Sequence, residues 1–323
     1  DLKCEFLGIE SPNPFWLASA PPTDKAYNVN RAFEAGWGGA VWKTLGEDPP
    51  IVNVSGPRYA AIYSNDRRVI GFNNIELITD RPLQTNLDEI RQIKRDWPDR
   101  ALVVSVMFAM NPETWAKYIP MIEDTGCDGI ELNFGCPHGM SERGMGAAVG
   151  QVPEYIQMAT EWAKDVASVP VIVKLTPNIT NILPPAKAAM DGGADGVSLI
   201  NTVNSIMRVN YETLSMYPTT DGMGSHGGYC GPAVKPIALH MIAEIARTTD
   251  TAHIPISGIG GITDWRDAVD HLALGAGNVQ VCTAAMVYGF KIIDDLVDGL
   301  SDFLDSKGMS SVDQLVGKAV PSV

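Results

Sequence analysis

Eight short apolar runs, each followed by a helix-like segment, constrain this chain more than any other feature. They are "PFWLASA" (14–20), "GAVWKTL" (39–45), "ALVVSVM" (101–107), "DGIELNF" (128–134), "PVIVKLT" (170–176), "GVSLIN" (196–201), "IPISGI" (254–259) and "NVQVCT" (278–283). They are continuous rather than alternating, the pattern of parallel strands buried on both faces. Between them lie "NLDEIRQIKRDW", "PETWAKYIPMIEDTG" and "PEYIQMATEWAKDVA", and several helical segments run into "GCDG", "GGADG" or "GAGN". Glycine there ends a helix and turns the chain into the next strand. Eight such units in 323 residues predict an α/β chain with one closed (β/α)8 TIM barrel over residues 1–305. The alternative is a doubly wound open sheet, which usually carries GxGxxG after its first strand; "ASAPPTDK" stands there instead. Residues 306–323, "SKGMSSVDQLVGKAVPSV", read as a C-terminal extension.

Composition narrows the function classes. Hydrophobic residues make up 45% of the chain and charged ones 19%, enough for a large core. A net charge of −14 argues against a nucleic-acid partner. The five cysteines (4, 127, 136, 230 and 282) are odd in number and never spaced CxxC. That pattern predicts reduced thiols in a cytoplasmic protein and no local iron–sulfur, zinc or other metal site. No apolar run approaches the roughly 18 residues of a membrane span.

In such a barrel, functional groups gather at the C-terminal ends of strands. Those ends carry Ser19, then Lys43 and Thr44, then Asn133, Gly135 and Cys136, then Lys174, then Asn201 and Thr202, and finally Cys282 and Thr283. Two long connections, 46–80 and 201–231, belong on the same face. Lysine is almost never fully buried without a partner. Lys43 and Lys174 therefore either reach the rim or pair with carboxylates, or together they receive an anionic ligand. The glycine-rich "SGIGGIT" (257–263) enters the helix "DWRDAVDHL", whose N-terminus is expected to cradle a phosphate; "GGYCGP" (227–232) is a second such loop. Asn74, Asn133 and Asn201 offer amide donors and acceptors that match a flat ring of alternating C=O and N–H groups, unless they merely cap turns.

Cys136 sits in "GCPHGMSERGMGAAVG" (135–150), with five glycines and two methionines. So glycine-rich a loop is expected to make a poor core and to close over a site. A thiol with a pKa of about 8.5 is protonated at neutral pH and can give up a proton. His138 and Arg143 stand near enough in sequence to tune it. Cys4 and Cys127 read as packing residues.

"NFGCPHGM" followed by "ERGMG", with "VKLTPN", "INTV", "GGYCGP" and "SGIGGI" in that order, resembles the FMN-binding, pyrimidine-reducing barrel of dihydropyrimidine dehydrogenases, within the wider dihydroorotate dehydrogenase-like superfamily. The resemblance spans essentially the whole chain. It implies that Ser19, Lys43, Thr44 and Lys174 contact the flavin ring and ribityl chain. It also implies that Gly231, Gly260, Gly261, Cys282 and Thr283 lie on the phosphate side. By the same resemblance Asn74, Asn133, Asn201 and Thr202 hold a pyrimidine with the backbone around Phe134 and Gly135, and Cys136 is the general acid. The activity it implies is reduction of the 5,6 double bond of uracil or thymine. Electrons would arrive through Fe–S clusters that this chain does not encode, supplied by a missing segment after residue 323 or by a partner subunit with FAD and NAD(H), in a homo- or hetero-oligomer. Dihydroorotate oxidation on the same fold, and a non-catalytic scaffold barrel, are the competing expectations.

Overall fold

A computed structural model of the chain describes residues 1–52, 57–137, 140, 143–220, 223–224 and 226–323. All eight expected strands form. They are β1 (Phe15–Leu17), β2 (Gly39–Leu45), β3 (Ala101–Val106), β4 (Gly129–Asn133), β5 (Val171–Lys174), β6 (Gly196–Leu199), β7 (Ile256–Ile259) and β8 (Asn278–Val281). Each pairs in parallel with its sequence neighbours, and β8 pairs with β1, so the sheet closes as the (β/α)8 barrel expected from sequence. Most strands end one to three residues before the apolar run does, because the last residues turn outward at the barrel mouth. No helix among the described residues is long and apolar enough to cross a membrane.

The core lies in two places. The larger part fills the space between barrel and helices, with Trp42, Trp115, Ile90 and Leu132 all fully buried. The smaller part plugs the barrel floor: Trp16, Val41, Ala101, Val103 and Ile172 point inward and meet Phe6 and Ile9. Phe6 and Ile9 come from an N-terminal hairpin, Cys4–Phe6 with Ile9–Ser11, which sequence reasoning missed. Its turn is Leu7-Gly8, and Leu7 takes φ 57°, a left-handed value that sequence rules reserve for Gly, Asn and Asp.

The two long connections are not open loops. Tyr59–Tyr63 and Val69–Asn74 from the first pair with Val203–Ser205 and Gly227–Cys230 from the second, making a four-stranded antiparallel sheet beside the barrel mouth. Residues 306–323 pack onto the barrel as well. Val312 and Leu315 are buried in the main core, and the N–H groups of Gly317 and Ala319 donate to the carbonyls of Leu272 (3.0 Å) and Ala273 (2.8 Å).

Phe6 meets Trp16 edge-on, with ring centroids 6.1 Å apart, in a floor that nothing else can fill. We expect Phe6→Ala to destabilise the fold by about 3 kcal/mol, the usual cost of a large-to-small change in a core. A thermal or urea midpoint indistinguishable from wild type would show that the hairpin does not close the floor.

Candidate active site

A cleft opens where β1, β2, β4, β5, β6, β7 and β8 end. Ser19, Lys43, Thr44, Asn74, Asn133, Cys136, Lys174, Asn201, Thr202, Gly231, Gly260, Gly261, Cys282 and Thr283 all line it. The barrel register explains the convergence: Asn133 on β4 lies opposite Lys174 on β5, and Lys174 opposite Ser198 on β6. Lys43 and Thr44 are consecutive, so a regular strand would aim them to opposite faces. The register shift between Trp42 and Leu45 re-aims the chain and brings both to the mouth.

Thr44 is the hub of the floor. Its hydroxyl meets those of Ser105 (2.8 Å) and Ser19 (3.2 Å) and accepts from the Asn133 amide at 3.0 Å. The Asn133 carbonyl oxygen in turn accepts from Asn201 Nδ2 at 3.0 Å and from the Gly135 N–H at 3.2 Å. The amides are therefore fixed in orientation, and each keeps unused donor or acceptor capacity for a ligand. Asn74 belongs to the roof, where its amide donates to the Gly228 carbonyl and accepts from the Glu76 N–H.

The lysines part company. Lys43 pairs with Glu76 at 2.9 Å, so here the carboxylate-pairing reading holds and its charge is not simply offered to an anion. Glu76 also accepts from Tyr59 Oη at 2.6 Å and Arg58 at 3.2 Å. Burial works to raise the Glu76 pKa, but the Lys43 charge and the hydrogen bonds from Tyr59, Lys43 and Arg58 hold it below the ordinary carboxylate value. Lys174 is 5% exposed, lines the cleft and has no hydrogen-bond or ion-pair partner among the described residues. It fits an anionic or electron-rich group in the cleft.

The N-terminus of the helix expected to cradle a phosphate has its donors already engaged. In the helix Trp265–Ala273, the N–H groups of Thr263, Asp264 and Arg266 are already taken by the carboxylates of Asp264 and Asp267, whose charges would repel a phosphate. The open donors lie beside it. Among the described residues, the N–H groups of Gly260, Gly261, Thr283 and Ala284 have no acceptor, and all four residues line the cleft. Gly260 and Gly261 take φ 130° and 72°, and a Cβ on Gly261 would stand 2.6 Å from Lys235 Cβ. This backbone nest fits the phosphate end of a flavin mononucleotide.

Cys136 is 9% exposed and lines the cleft, yet it also packs with Ile78, Met107 and Met140. The expectation that a glycine-rich loop makes a poor core is corrected: the loop's methionines build a small apolar cluster around the thiol. The loop is tied down by the Ala147 N–H, which donates to the Cys136 carbonyl at 3.0 Å. Gly150 must be glycine, because a Cβ there would lie 1.9 Å from the Phe134 carbonyl oxygen. His138 lies outside the described residues, and Arg143 is exposed. Phe134 and Gly135 do not line the cleft. The Phe134 ring turns into the core against Trp115, and Gly135 backs Asn201, leaving no room for a Cβ.

Sequence reasoning missed Glu76, Tyr59, Phe72, Tyr229, Cys230 and Gln280, all of which line the cleft. Glu76 had a signal: it stands two residues after Asn74, and that spacing keeps both on one side of an extended chain. The roof residues had none, since their position depends on pairing between distant segments. Cys230 and Cys282 are thiols pushed up to about 11 and about 12 by burial. Among the described residues no group of three or more His, Cys, Asp or Glu side chains is placed to hold a metal ion.

Comparison with known proteins agrees with this architecture. The dihydroorotate dehydrogenase family matches residues 1–304. The chain is 40% identical over 319 residues to the NAD-dependent dihydropyrimidine dehydrogenase subunit PreA of Escherichia coli (strain K12), covering 99% of this chain and 77% of that protein. It is 40% identical over 329 residues to the chloroplastic dihydropyrimidine dehydrogenase (NADP(+)) of Arabidopsis thaliana, with the same coverage. To the catalytic subunit of dihydroorotate dehydrogenase B (NAD(+)) from Pyrococcus abyssi (strain GE5 / Orsay) it is 36% identical over 327 residues, covering 99% of each. The chain belongs to the dihydroorotate dehydrogenase family and is an oxidoreductase that acts on CH–CH bonds.

Proposed function

We propose that this chain is the pyrimidine-reducing component of a dihydropyrimidine dehydrogenase, adding two hydrogens across the 5,6 double bond of uracil or thymine. The observation that carries the reading is the placement of a thiol, Cys136, in one cleft with three asparagine amides and the carboxylate of Glu76. A neutral pyrimidine presents N–H donors and C=O acceptors around a flat ring. Asn74, Asn133, Asn201 and Thr202 supply the matching groups, and Glu76 supplies an anionic acceptor for a ring N–H. Orotate differs by a carboxylate. Glu76 would repel it and already holds Lys43, which is why the dihydroorotate reading ranks second.

FMN is the cofactor that the cleft fits. Ser19, Thr44 and Lys174 would hold its ring and ribityl chain, and Gly231, Gly260, Gly261, Cys282 and Thr283 its phosphate. Bound FMN supplies the reducing pair of electrons as a hydride for C6 of the pyrimidine. The amides orient the ring so that C5 faces Cys136, whose thiol gives the second hydrogen as a proton and recovers one from solvent. Lys174 places a positive charge where the reduced cofactor is electron-rich. The cluster of Ile78, Met107 and Met140 around the thiol keeps water from the transfer path. Electrons reach the site from an NAD(H)-linked, FAD-containing partner, in keeping with a similar protein named as an NAD-dependent subunit.

Three outcomes follow. After anaerobic photoreduction of the FMN-loaded protein, uracil or thymine should reoxidise the flavin and orotate should not; reoxidation by orotate alone would replace this reading with dihydroorotate oxidation. Cys136→Ala should keep FMN bound and slow that reoxidation by about 10² to 10⁴, the usual contribution of a general acid; an unchanged rate removes Cys136 from the role. Glu76→Gln, which removes the charge and keeps the shape, should weaken uracil binding by about tenfold, roughly the 1.4 kcal/mol of one charged hydrogen bond, and relax the exclusion of orotate. Equal uracil affinity in a direct binding titration would take Glu76 out of recognition.

A further inference from the structure

A carboxyl group lies beneath the floor of the cleft with no cation beside it. Glu131 is on β4, two residues before Asn133, with its side chain inside the barrel and 0% exposed. Its Oε2 accepts from Ser198 Oγ at 2.8 Å and from Gln280 Nε2 at 3.3 Å, while Oε1 has no partner. Gln280 is itself fully buried, lines the cleft and spends its second N–H on Ser257 Oγ at 3.0 Å. It is therefore the bridge between the barrel interior and the cleft. Among the described residues no lysine, arginine or histidine forms an ion pair with Glu131. Lys174, also without a partner, lies one interior layer above: the register sets Glu131 opposite Ile172 and Asn133 opposite Lys174. Two residues of strand are about 6.6 Å. Glu131 and Lys174 thus sit in adjacent interior layers of the barrel with no ion pair between them.

We propose that Glu131 is a positioning residue that sets the electrostatic potential of the cleft floor, opposing Lys174 and making the bound flavin a stronger hydride donor. The inference rests on FMN occupying this cleft. Without it, Lys174 alone would stabilise the electron-rich reduced cofactor and weaken its reducing power. With Glu131 below, the positive charge still binds and orients, while the added negative field resists accumulation of electrons on the ring. Gln280 carries the effect to the cleft, because its amide is locked by Glu131 on one side and Ser257 on the other. The carboxylate remains inside the barrel because Ser198 and Gln280 hydrogen-bond one oxygen, a minimal solvation that leaves its field largely unscreened.

The test is the midpoint potential of bound FMN, measured by anaerobic titration against a reference dye. Glu131→Gln removes the charge at constant shape and should raise the reduced-to-oxidised ratio at a fixed solution potential about tenfold, which for two electrons is about 30 mV. Glu131→Asp keeps the charge and should return the potential toward wild type. Ser198→Ala, which removes a donor that holds the carboxyl in its charged form, should shift the ratio the same way by a smaller amount, and it provides the reading if the Gln protein does not fold. A potential unchanged in the Gln protein, or moved equally by Gln and Asp, overturns the proposal and assigns Glu131 a packing role or a neutral carboxyl. Wild-type protein that cannot be loaded with FMN overturns both this inference and the cofactor reading; FMN-loaded wild type with an unresponsive variant overturns this inference alone.

Discussion

The pairing of β4 with β5, Asn133 opposite Lys174, is the constraint on which the site depends. Strand register in a closed barrel cannot slip by one residue without sending every side chain to the other face. Once Asn133 faces inward, Glu131 must too, and Lys174 must share the Asn133 layer. The Thr44 hydroxyl then ties β2 to β4 through Asn133, to β3 through Ser105, and to the end of β1 through Ser19. Four strand ends are locked to one another by neutral hydrogen bonds, each worth about 1 kcal/mol net. The value of that network lies less in stability than in holding the amides in one orientation.

That fixed floor leaves discrimination to the roof. The roof is the antiparallel sheet made from the two long connections, and it brings Glu76 and Tyr59 above a floor built by the barrel. Glu76 gathers Lys43, Arg58 and Tyr59 around one carboxylate. A cation so engaged orients the carboxylate rather than binding an anion of its own. The same four residues with an apolar side chain in place of Glu76 would form a cationic pocket suited to a carboxylated pyrimidine. On the function proposed above, this one acidic residue would separate two substrate classes on one scaffold, and the chain is similar to both kinds of dehydrogenase in the family.

What was legible in the sequence follows from range. The eight strands and the helices between them are local patterns of burial, and each run of apolar residues carried its own evidence. Strand-end residues such as Asn133, Lys174 and Thr283 followed from the barrel, because the topology fixes where strand ends go. The Phe134 ring turns to the opposite face from Asn133, into the core against Trp115, so only its backbone is left for the role the resemblance implies. The helix at Trp265 was misread for a different reason: its glycine-rich approach suggested an anion site, but Asp264 and Asp267 had already used the donors. Acidic residues at the first turn were present in "TDWRD" and were the overlooked signal. The roof could not be read at all, since its strands are short and its two halves are joined by a pairing between Asn74 and Gly228, far apart in sequence.

Three thiols reach this cleft, and their surroundings argue for different tasks. Cys230 donates to the Phe72 carbonyl at 3.2 Å and accepts from Thr283 Oγ1 at 3.2 Å. Cys282 lies against the Met286 sulfur. Burial pushes both up, to about 11 and about 12, so each stays a protonated thiol at neutral pH. Cys136 stands apart from them, on the loop after β4 and directly after the glycine that backs Asn201. A proton donor must face the carbon that gains the proton, while the hydride comes from the other face of the ring. Cys136 follows the strand that carries Asn133 by three residues, so on the function proposed above the distance from proton donor to ring would be set by one covalent segment rather than by the docking of two.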